Sequence, residues 1–146
     1  MAITSAIANT FKTEILKAVH NFTATSGNTF NLALYTSSAT LSASTTAYSS
    51  SNEITNSSGT AYSAKGNALT SVTPVLDSST AVCDFSDTSW TSASFTANGC
   101  LMFNDSASGD PACCAVAFGG DKTVSRGTFT IQFPAAAATT AIVRIA

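Results

Sequence analysis

Residues 30–36 read FNLALYT, and this segment predicts the basic element of the fold. Phe30, Leu32 and Leu34 occupy alternate positions, and smaller or more polar side chains lie between them. Because successive side chains of a β-strand point to opposite faces of the sheet, this period of two predicts a half-buried strand.

Further segments of the same kind follow toward the C-terminus, separated by turns of Gly, Ser and Asp. Pro74 restricts one of them to a sheet edge or a bulge, since proline cannot donate a ladder hydrogen bond. Asn98 and Gly99 predict a bulge or tight bend in another, and residues 119–121 (GGD) predict a hairpin turn. The predicted strands are NALTSVTPVLD (67–77), TAVCDF (80–85), SFTANGCLMFN (94–104), ACCAVAF (112–118), TFTIQF (128–133) and AIVRI (141–145).

The first twenty residues follow a different period. Apolar side chains recur at every fourth position and form one stripe on a helix predicted from Ser5 to His20, with Thr4 or Ser5 as its N-terminal cap. A single helix cannot bury such a stripe alone, so it must pack on a sheet or on another subunit. The stripe consists of Ile3, Ile7, Phe11, Ile15 and Val19.

Together these elements predict a mainly β protein, an antiparallel β-sandwich of jelly-roll-like form with one N-terminal amphipathic helix. The length of 146 residues corresponds to about one domain. We expect a single domain, 1–146, in which residues 1–21 contain the helix and residues 28–146 form the sandwich.

The composition combines few charges with many hydroxyl groups. Charged residues make up 10% of the chain, against about a quarter in typical soluble proteins, whereas Ser and Thr make up about a third. A low charge removes the ordinary protection against self-association, so a chain held in an assembly is favoured over a free monomer. Adaptation to high salt or to secretion is the alternative explanation of this composition.

Several classes of partner are disfavoured. The net charge is −2, and the Lys and Arg residues form no cluster that could neutralise a run of phosphates, so direct nucleic-acid binding is not expected. No run of about eighteen apolar residues is present that could span a membrane. The N-terminus lacks the basic region and uninterrupted apolar stretch of a secretory signal, so synthesis without export is expected.

No arrangement of residues predicts catalysis, a cofactor or a metal site. The single histidine, His20, is predicted at the end of the helix, where it suits the macrodipole, and no second histidine or GxSxG motif accompanies it. Asp84 and Asp87 beside Trp90 resemble a sugar-binding cleft, but solvated turn residues are the simpler interpretation. The loop DSASGDP (105–111) lacks the spacing of a calcium-binding loop.

Four cysteines, Cys83, Cys100, Cys113 and Cys114, contain no CxxC pair. The last two are adjacent in a predicted strand, where alternation places them on opposite faces. Buried structural thiols are favoured over a disulfide, and a redox or metal role is the least expected.

Several segments, in their order along the chain, have a more specific implication. They are ALYTSSATL (33–41), TTAY (45–48), NEI (52–54), FSDTSW (85–90), FGGDKT (118–123) and GTFTI (127–131). Their combination resembles a family of small virion proteins from tailed double-stranded DNA bacteriophages, and the resemblance covers residues 8–146. Members of that family are often richer in glycine, and the serine-rich sequence of residues 51–67 departs from their pattern.

The resemblance implies a non-enzymatic structural protein, with a capsid cement or decoration protein as the favoured role. Such a protein would be made in the host cytoplasm and would bind the major capsid protein and its own copies, as a dimer or trimer, on the capsid surface of the virion. One alternative is a tail, neck or connector component. Another is a host-recognition module that binds glycans through Trp90, Tyr48 and Tyr62.

We expect the segment Leu34–Glu53 to lie at an intersubunit or capsid contact, because hydroxyl groups form hydrogen bonds with little loss of rotamer entropy. On that view, deletion of Ser37–Ser51 would leave the fold intact and abolish binding to the shell. The expected interface residues are Tyr35, Leu41, Tyr48, Glu53, Tyr62, Ile7 and Phe11.

Overall fold

The computed structural model describes residues 1–146 and shows a mainly β chain with one short helix near the N-terminus. The elements are β1 (Ala6–Ile7), α1 (Asn9–Leu16), β2 (Phe30–Tyr35), β3 (Asn67–Ala68), β4 (Ser71–Asp77), β5 (Thr80–Phe85), β6 (Thr88–Asn104), β7 (Ala112–Ile131) and β8 (Val143–Ile145).

The strands form two antiparallel sheets. The larger sheet has the order β1-β7-β6-β2-β3, and the smaller sheet has the order β4-β5-β8. The two sheets share an aromatic cluster, in which the ring centroids of Phe30 on β2 and Phe85 on β5 lie 6.0 Å apart. Phe22, from the loop after α1, stacks on Phe30 at 4.2 Å and fills the space between them. The predicted antiparallel, mainly β sandwich is therefore confirmed.

Strand β2 is buried along its whole length, although a half-buried strand was expected. One set of its side chains, including Phe30, faces the smaller sheet. The other set lies on the face where the Tyr48 ring stacks on Phe103 of β6 at 4.7 Å. Tyr48 belongs to residues 36–66, which we call the hydroxyl-rich segment. Because this segment covers the second face, the five-stranded sheet is the middle layer of the molecule.

The long hairpin of β6 and β7 contains the predicted irregularity at Asn98. The pairing register shifts there, since Ala97 pairs with Lys122 while Gly99 pairs with Ala117. Residues 118–121 therefore bulge opposite Asn98, and the Asn98 Nδ2 donates to Asp121 Oδ1 at 2.8 Å. The GGD sequence was expected to be a hairpin turn, but it is this bulge within the continuous strand β7. Its two glycines adopt positive φ angles, which allow the chain to bulge without steric strain.

The N-terminal helix is shorter than predicted, eight residues instead of the expected span from Ser5 to His20. Ala6 and Ile7 instead pair with β7, so residues 1–21 are not all helix and the sheet begins at β1. The predicted cap is also wrong, because the Ser5 Oγ accepts a hydrogen bond from Ala117 N at 2.9 Å. The period of four therefore ran through a strand and a helix in succession, and its residues do not share one face, since Ile3 contacts Gly99 on the other side of the sheet.

The edge strand β4 confirms the prediction made from Pro74. The register between β4 and β5 shifts between Val72 and Val75, so the proline lies at a bulge where no ladder hydrogen bond is lost. Val72, Val75 and Leu76 of this strand have exposed side chains. The smaller sheet therefore presents apolar residues to solvent along its outer edge.

Candidate interaction surfaces

The hydroxyl-rich segment is attached to the rest of the chain by backbone hydrogen bonds at several points. Leu41 exchanges bonds with the N-terminus, since its N–H donates to Ala2 O and its carbonyl accepts from Thr4 N. Further along, Ile54 N donates to Leu34 O at 2.9 Å, and Tyr48 N donates to Asp110 O at 2.9 Å. These bonds define the path of a segment that has almost no regular secondary structure.

Glu53 is the centre of a polar network beneath this segment. Its Oε2 accepts a hydrogen bond from the Tyr48 hydroxyl at 2.6 Å. Its Oε1 accepts from the Tyr62 hydroxyl and from Lys65 N, each at 2.7 Å. The Tyr62 oxygen in turn accepts from Leu34 N at 2.9 Å, which links the network to β2. One carboxylate therefore joins three points of the hydroxyl-rich segment to one another, and Tyr62 connects them to the sheet.

Lys65 extends the network to the β6–β7 loop. Its Nζ lies 2.7 Å from Asp105 Oδ1 and 2.8 Å from Asp110 Oδ2, and 5.6 Å from the centre of the Tyr48 ring. The two aspartates raise the pKa of the Lys65 amine, so the amine stays protonated. Gly66 follows at φ +67°, and a Cβ there would lie 1.9 Å from Leu32 O. Only glycine allows this close approach to β2.

The three tyrosines of the region all hold their protons more tightly than free tyrosine. Burial and the Glu53 charge raise the pKa of Tyr62 and of Tyr35, and they raise the pKa of Tyr48 to about 12. The Tyr35 hydroxyl donates to Ser49 O at 2.7 Å. These hydroxyls are therefore fixed donors to carboxylate and carbonyl oxygens, and they are unsuited to act as nucleophiles or bases near neutral pH.

The expected interface residues separate into two groups. Five of them lie beneath the exposed surface of the hydroxyl-rich segment. Buried are Tyr35, Leu41 and Tyr62, and half-buried are Tyr48 and Glu53. Ile7 and Phe11 lie elsewhere and line a groove at the opposite side of the sheet. None of the seven side chains is exposed in the single chain, and their role at an interface stays a prediction.

The exposed surface of the hydroxyl-rich segment consists of small polar side chains. The Ser37 and Ser38 side chains form no hydrogen bond within the chain, and that of Ser50 forms none either. No Lys, Arg, Asp or Glu occurs from Thr36 to Asn52. This uncharged surface rests on a network that fixes its position. Its exposed residues include Ser37, Ser38, Thr40, Ser44, Thr46, Ser49, Ser50 and Ser51.

An apolar groove of about 350 Å³ lies between α1 and β8, and we call it the α1–β8 groove. Leu16 of α1 is 87% exposed, and Ile145 of β8 is 54% exposed. A neighbouring cavity of about 440 Å³ shares four lining residues with the groove and continues it between α1 and the smaller sheet. The groove is lined by Ile7, Phe11, Lys12, Ile15, Leu16, Val143, Arg144 and Ile145.

His20 does not lie at a helix end, because α1 stops at Leu16 and the histidine is buried under it. Its Nε2 is 2.9 Å from Glu14 Oε2, and its Nδ1 is 3.1 Å from Asn104 Nδ2. A neutral ring with its proton on Nε2 satisfies both contacts. The Phe11 ring lies 4.9 Å from the imidazole and covers it. His20 thus joins α1 to β6 by hydrogen bonds and packing.

The four cysteines are free thiols, three of them buried and Cys83 half-buried. Burial raises the pKa of Cys83 to about 11 and that of Cys114 to about 12, so the reactive thiolate is disfavoured. Cys100 and Cys114 line a second apolar cavity of about 340 Å³ between the larger sheet and the segment that contains Phe133. These thiols act as small apolar side chains.

The other carboxylates are used in local structure. The Asp84 Oδ1 accepts from Phe85 N at 2.8 Å, and the Asp87 Oδ1 accepts from Phe133 N at 2.9 Å. Trp90 beside them is only 3% exposed, so its ring offers no face to a sugar. No group of three or more His, Cys, Asp and Glu side chains is placed to hold a metal ion. The structure contains no helix with the length and apolarity needed to cross a bilayer.

The sequence pattern did not predict the partners of Glu53 or the exposed part of the α1–β8 groove. Glu53 is the only acidic residue between Glu14 and Asp77, and a lone acid in so polar a stretch was a usable signal.

Comparisons of the chain with protein-family models, with curated proteins and with solved structures gave no match. The function of this chain must therefore be inferred from its own residues and from the resemblance of residues 8–146 to small virion proteins.

Proposed function

We propose that the chain is a non-enzymatic structural protein of a tailed bacteriophage particle, a capsid cement or decoration protein. In that role it binds the major capsid protein and its own copies, as a dimer or trimer, on the capsid surface. The observation that carries the proposal is the uncharged, hydroxyl-covered surface of residues 36–52, which rests on the Glu53 network.

Such a surface costs little free energy to cover. Docking requires the removal of water, and a charged side chain then loses several kcal/mol of hydration that only a well-placed partner can offset. A hydroxyl can instead exchange one hydrogen bond for another. Serine also loses little rotamer entropy on docking. Because Glu53 and the tyrosines hold the segment in place, little further ordering is needed, and many weak contacts can add up over a shell.

The first test is the copy number of the chain in purified particles whose genome encodes it. A cement protein is present in numbers comparable to those of the major capsid protein, whereas a tail, neck or connector component is present in few copies. Quantitative mass spectrometry of intact particles measures this ratio. A few copies per particle would contradict the cement role and favour the alternative.

The second test places charge on the proposed contact surface. Substitution of Ser37, Ser38 and Ser50 by lysine alters side chains that form no hydrogen bond within the chain, so the fold should persist. The affinity of the chain for particles prepared without it should fall at least about tenfold if each buried lysine costs about 1 kcal/mol or more. The control substitutes the exposed Ser125 and Thr128 of β7 by lysine, and its affinity for the particles should be unchanged.

The structure gives no specific support for a glycan-binding module. Of the three aromatic residues expected to stack on sugars, Trp90 and Tyr62 are buried, and the Tyr48 ring stacks on Phe103. A carbohydrate array should accordingly give no signal, and a specific signal would count against the proposed role.

A further inference from the structure

The α1–β8 groove has a free strand edge along one wall. Strand β8 pairs with β5 on one side, and no strand pairs with its other side. An edge strand of this kind presents unpaired N–H and C=O groups, which can accept one more strand. The opposite wall is the apolar surface of α1, on which Ile15 is half-buried and Leu16 is exposed. A strand added to β8 would thus have apolar side chains of α1 beside it.

The groove also carries positive charge that the chain does not neutralise. Lys12 and Arg144 line it, and neither has an acidic group within 4.0 Å. The Lys12 Nζ donates to Asn9 Oδ1 at 3.2 Å, and the Arg144 Nη1 donates to Ala138 O at 3.0 Å. Glu14, the one acidic residue of the helix, contacts His20 Nε2 instead, at 2.9 Å. Two cations therefore flank an apolar groove with no carboxylate to pair with them.

We propose that the α1–β8 groove binds an extended segment of a partner protein that adds as a strand to β8. Alternate side chains of this segment are apolar and contact Leu16 and Ile145, and flanking carboxylates pair with Lys12 and Arg144. The inference rests on the proposed function only for the nature of the partner, which is then a subunit of the shell. A second copy of the chain is a poor occupant, since it would bring Lys12 and Arg144 against their own counterparts.

The test uses synthetic peptides and the full-length chain. The probe is a short peptide in which Val and Ile alternate with Thr and which has a Glu at each end. Calorimetry or fluorescence anisotropy should detect its binding, and the same peptide with Lys at each end should bind at least about tenfold more weakly. A peptide N-methylated on the residues that face β8 should not bind, because it lacks the N–H groups that a strand must donate.

Variants of the chain locate the site. Lys12→Gln with Arg144→Gln should weaken binding of the acidic peptide about tenfold and reduce its dependence on salt. The control pair, Lys122→Gln with Arg126→Gln, removes the same two charges from β7 and should leave binding unchanged. Equal loss in both pairs, or equal binding of the acidic, basic and N-methylated peptides, would overturn the proposal. Concentration-dependent dimerisation that Leu16→Ser abolishes would overturn it too, because the occupant would then be a second copy.

Failure of this inference differs from failure of the proposed function. If the peptides do not bind but particles still bind the chain, and Leu16→Ser does not change their occupancy, the groove is not the docking site and the proposed function stands. If the acidic peptide binds as expected but the chain is absent from particles, the groove inference stands and the proposed function falls.

Discussion

The two faces of the five-stranded sheet are closed in different ways. One face is covered by the hydroxyl-rich segment, which is fixed by directional hydrogen bonds among its own residues Glu53, Tyr48 and Tyr62. On the other face, α1 and the smaller sheet pack through aromatic and aliphatic side chains and leave the α1–β8 groove open. On the polar side Glu53 finds all its hydrogen-bond partners within one chain, whereas the apolar side leaves Leu16 and Ile145 exposed.

The difference follows from the energetics of the two kinds of contact. An unmade hydrogen bond in a buried place costs about 1–3 kcal/mol, so a polar network is stable only when every member is paired. Apolar burial is non-directional and roughly proportional to area, so an apolar surface can remain partly exposed and still contribute. We therefore expect the polar side to be intolerant of change and the apolar side to be tolerant.

Deletion of Ser37–Ser51 should have the largest effect. The deletion removes Leu41 and Tyr48 and uncovers one face of the larger sheet, so the loss should exceed the 5–15 kcal/mol by which domains are typically stable. We expect an unfolded or aggregated chain by circular dichroism, contrary to the expectation from sequence. Removal of Ser57 and Ser58, which are exposed, is the control and should leave a folded protein. A folded deletion variant would show that the segment is an independent loop.

Glu53→Gln should have the next largest effect. The glutamine nitrogen cannot accept a hydrogen bond, so the Tyr48 hydroxyl must turn its proton away and accept from that nitrogen, and all three bonds lose the charge of the carboxylate. The free energy of unfolding, measured with urea, should fall by about 2–4 kcal/mol. Asp121→Asn removes a carboxylate from an exposed bulge and should change it by no more than about 0.5 kcal/mol. Equal effects in the two variants would mean that the network contributes no more than a surface contact.

The strands could be predicted from the sequence because alternation depends on local geometry. Residues 80–85 form β5 as expected, and Pro74 lies at the expected bulge. The helix was overestimated because Ile3 and Ile7 share its period, although the backbone of Ile3 pairs with Leu41 and that of Ile7 pairs with β7. A repeat of apolar residues marks positions that contact the core, and it does not by itself report the backbone conformation that places them there.

The candidate surfaces could be predicted only in part. Tyrosine is enriched at interfaces, which favoured Tyr35 and Tyr62 as contact residues, yet a tyrosine with a buried carboxylate partner is equally satisfied within one chain. The partners Glu53, Tyr62 and Lys65 are brought together by long-range packing, which no local pattern encodes. The hydroxyl-rich residues 34–53 were expected at an intersubunit or capsid contact, and that expectation stays a prediction.

Alkaline pH should destabilise the protein through the tyrosines of the polar side. Because the folded chain holds the three tyrosine protons more tightly than the unfolded chain does, their contribution to stability is complete below the ordinary tyrosine pKa of 10.0 and is lost as the pH rises above it. The buried thiols add a loss that begins at their ordinary pKa of 9.0. Each buried tyrosine can contribute a slope of up to about 1.4 kcal/mol per pH unit.

Tyrosinate absorbance of the folded protein should stay flat through pH 10 and rise near 12, where Tyr48 titrates, or on unfolding. Tyr62→Phe should show a shallower loss of stability above pH 10 than the unchanged chain, which separates this tyrosine from the buried thiols. A tyrosine that ionises near its ordinary pKa while the circular dichroism stays constant would contradict the enclosed network.

Leu16→Ser should have the smallest effect on stability. The side chain is 87% exposed at the end of α1, so its removal from the surface should change the free energy of unfolding by no more than about 0.5 kcal/mol. Phe11→Ala, five residues earlier on the same helix, is the matched contrast, because Phe11 is 3% exposed and covers His20, and it should cost about 3–5 kcal/mol. If Leu16→Ser costs as much as a buried substitution, the groove is closed by the chain itself in solution. If its cost is negligible, one side of α1 stabilises the fold while the other is free to bind a partner.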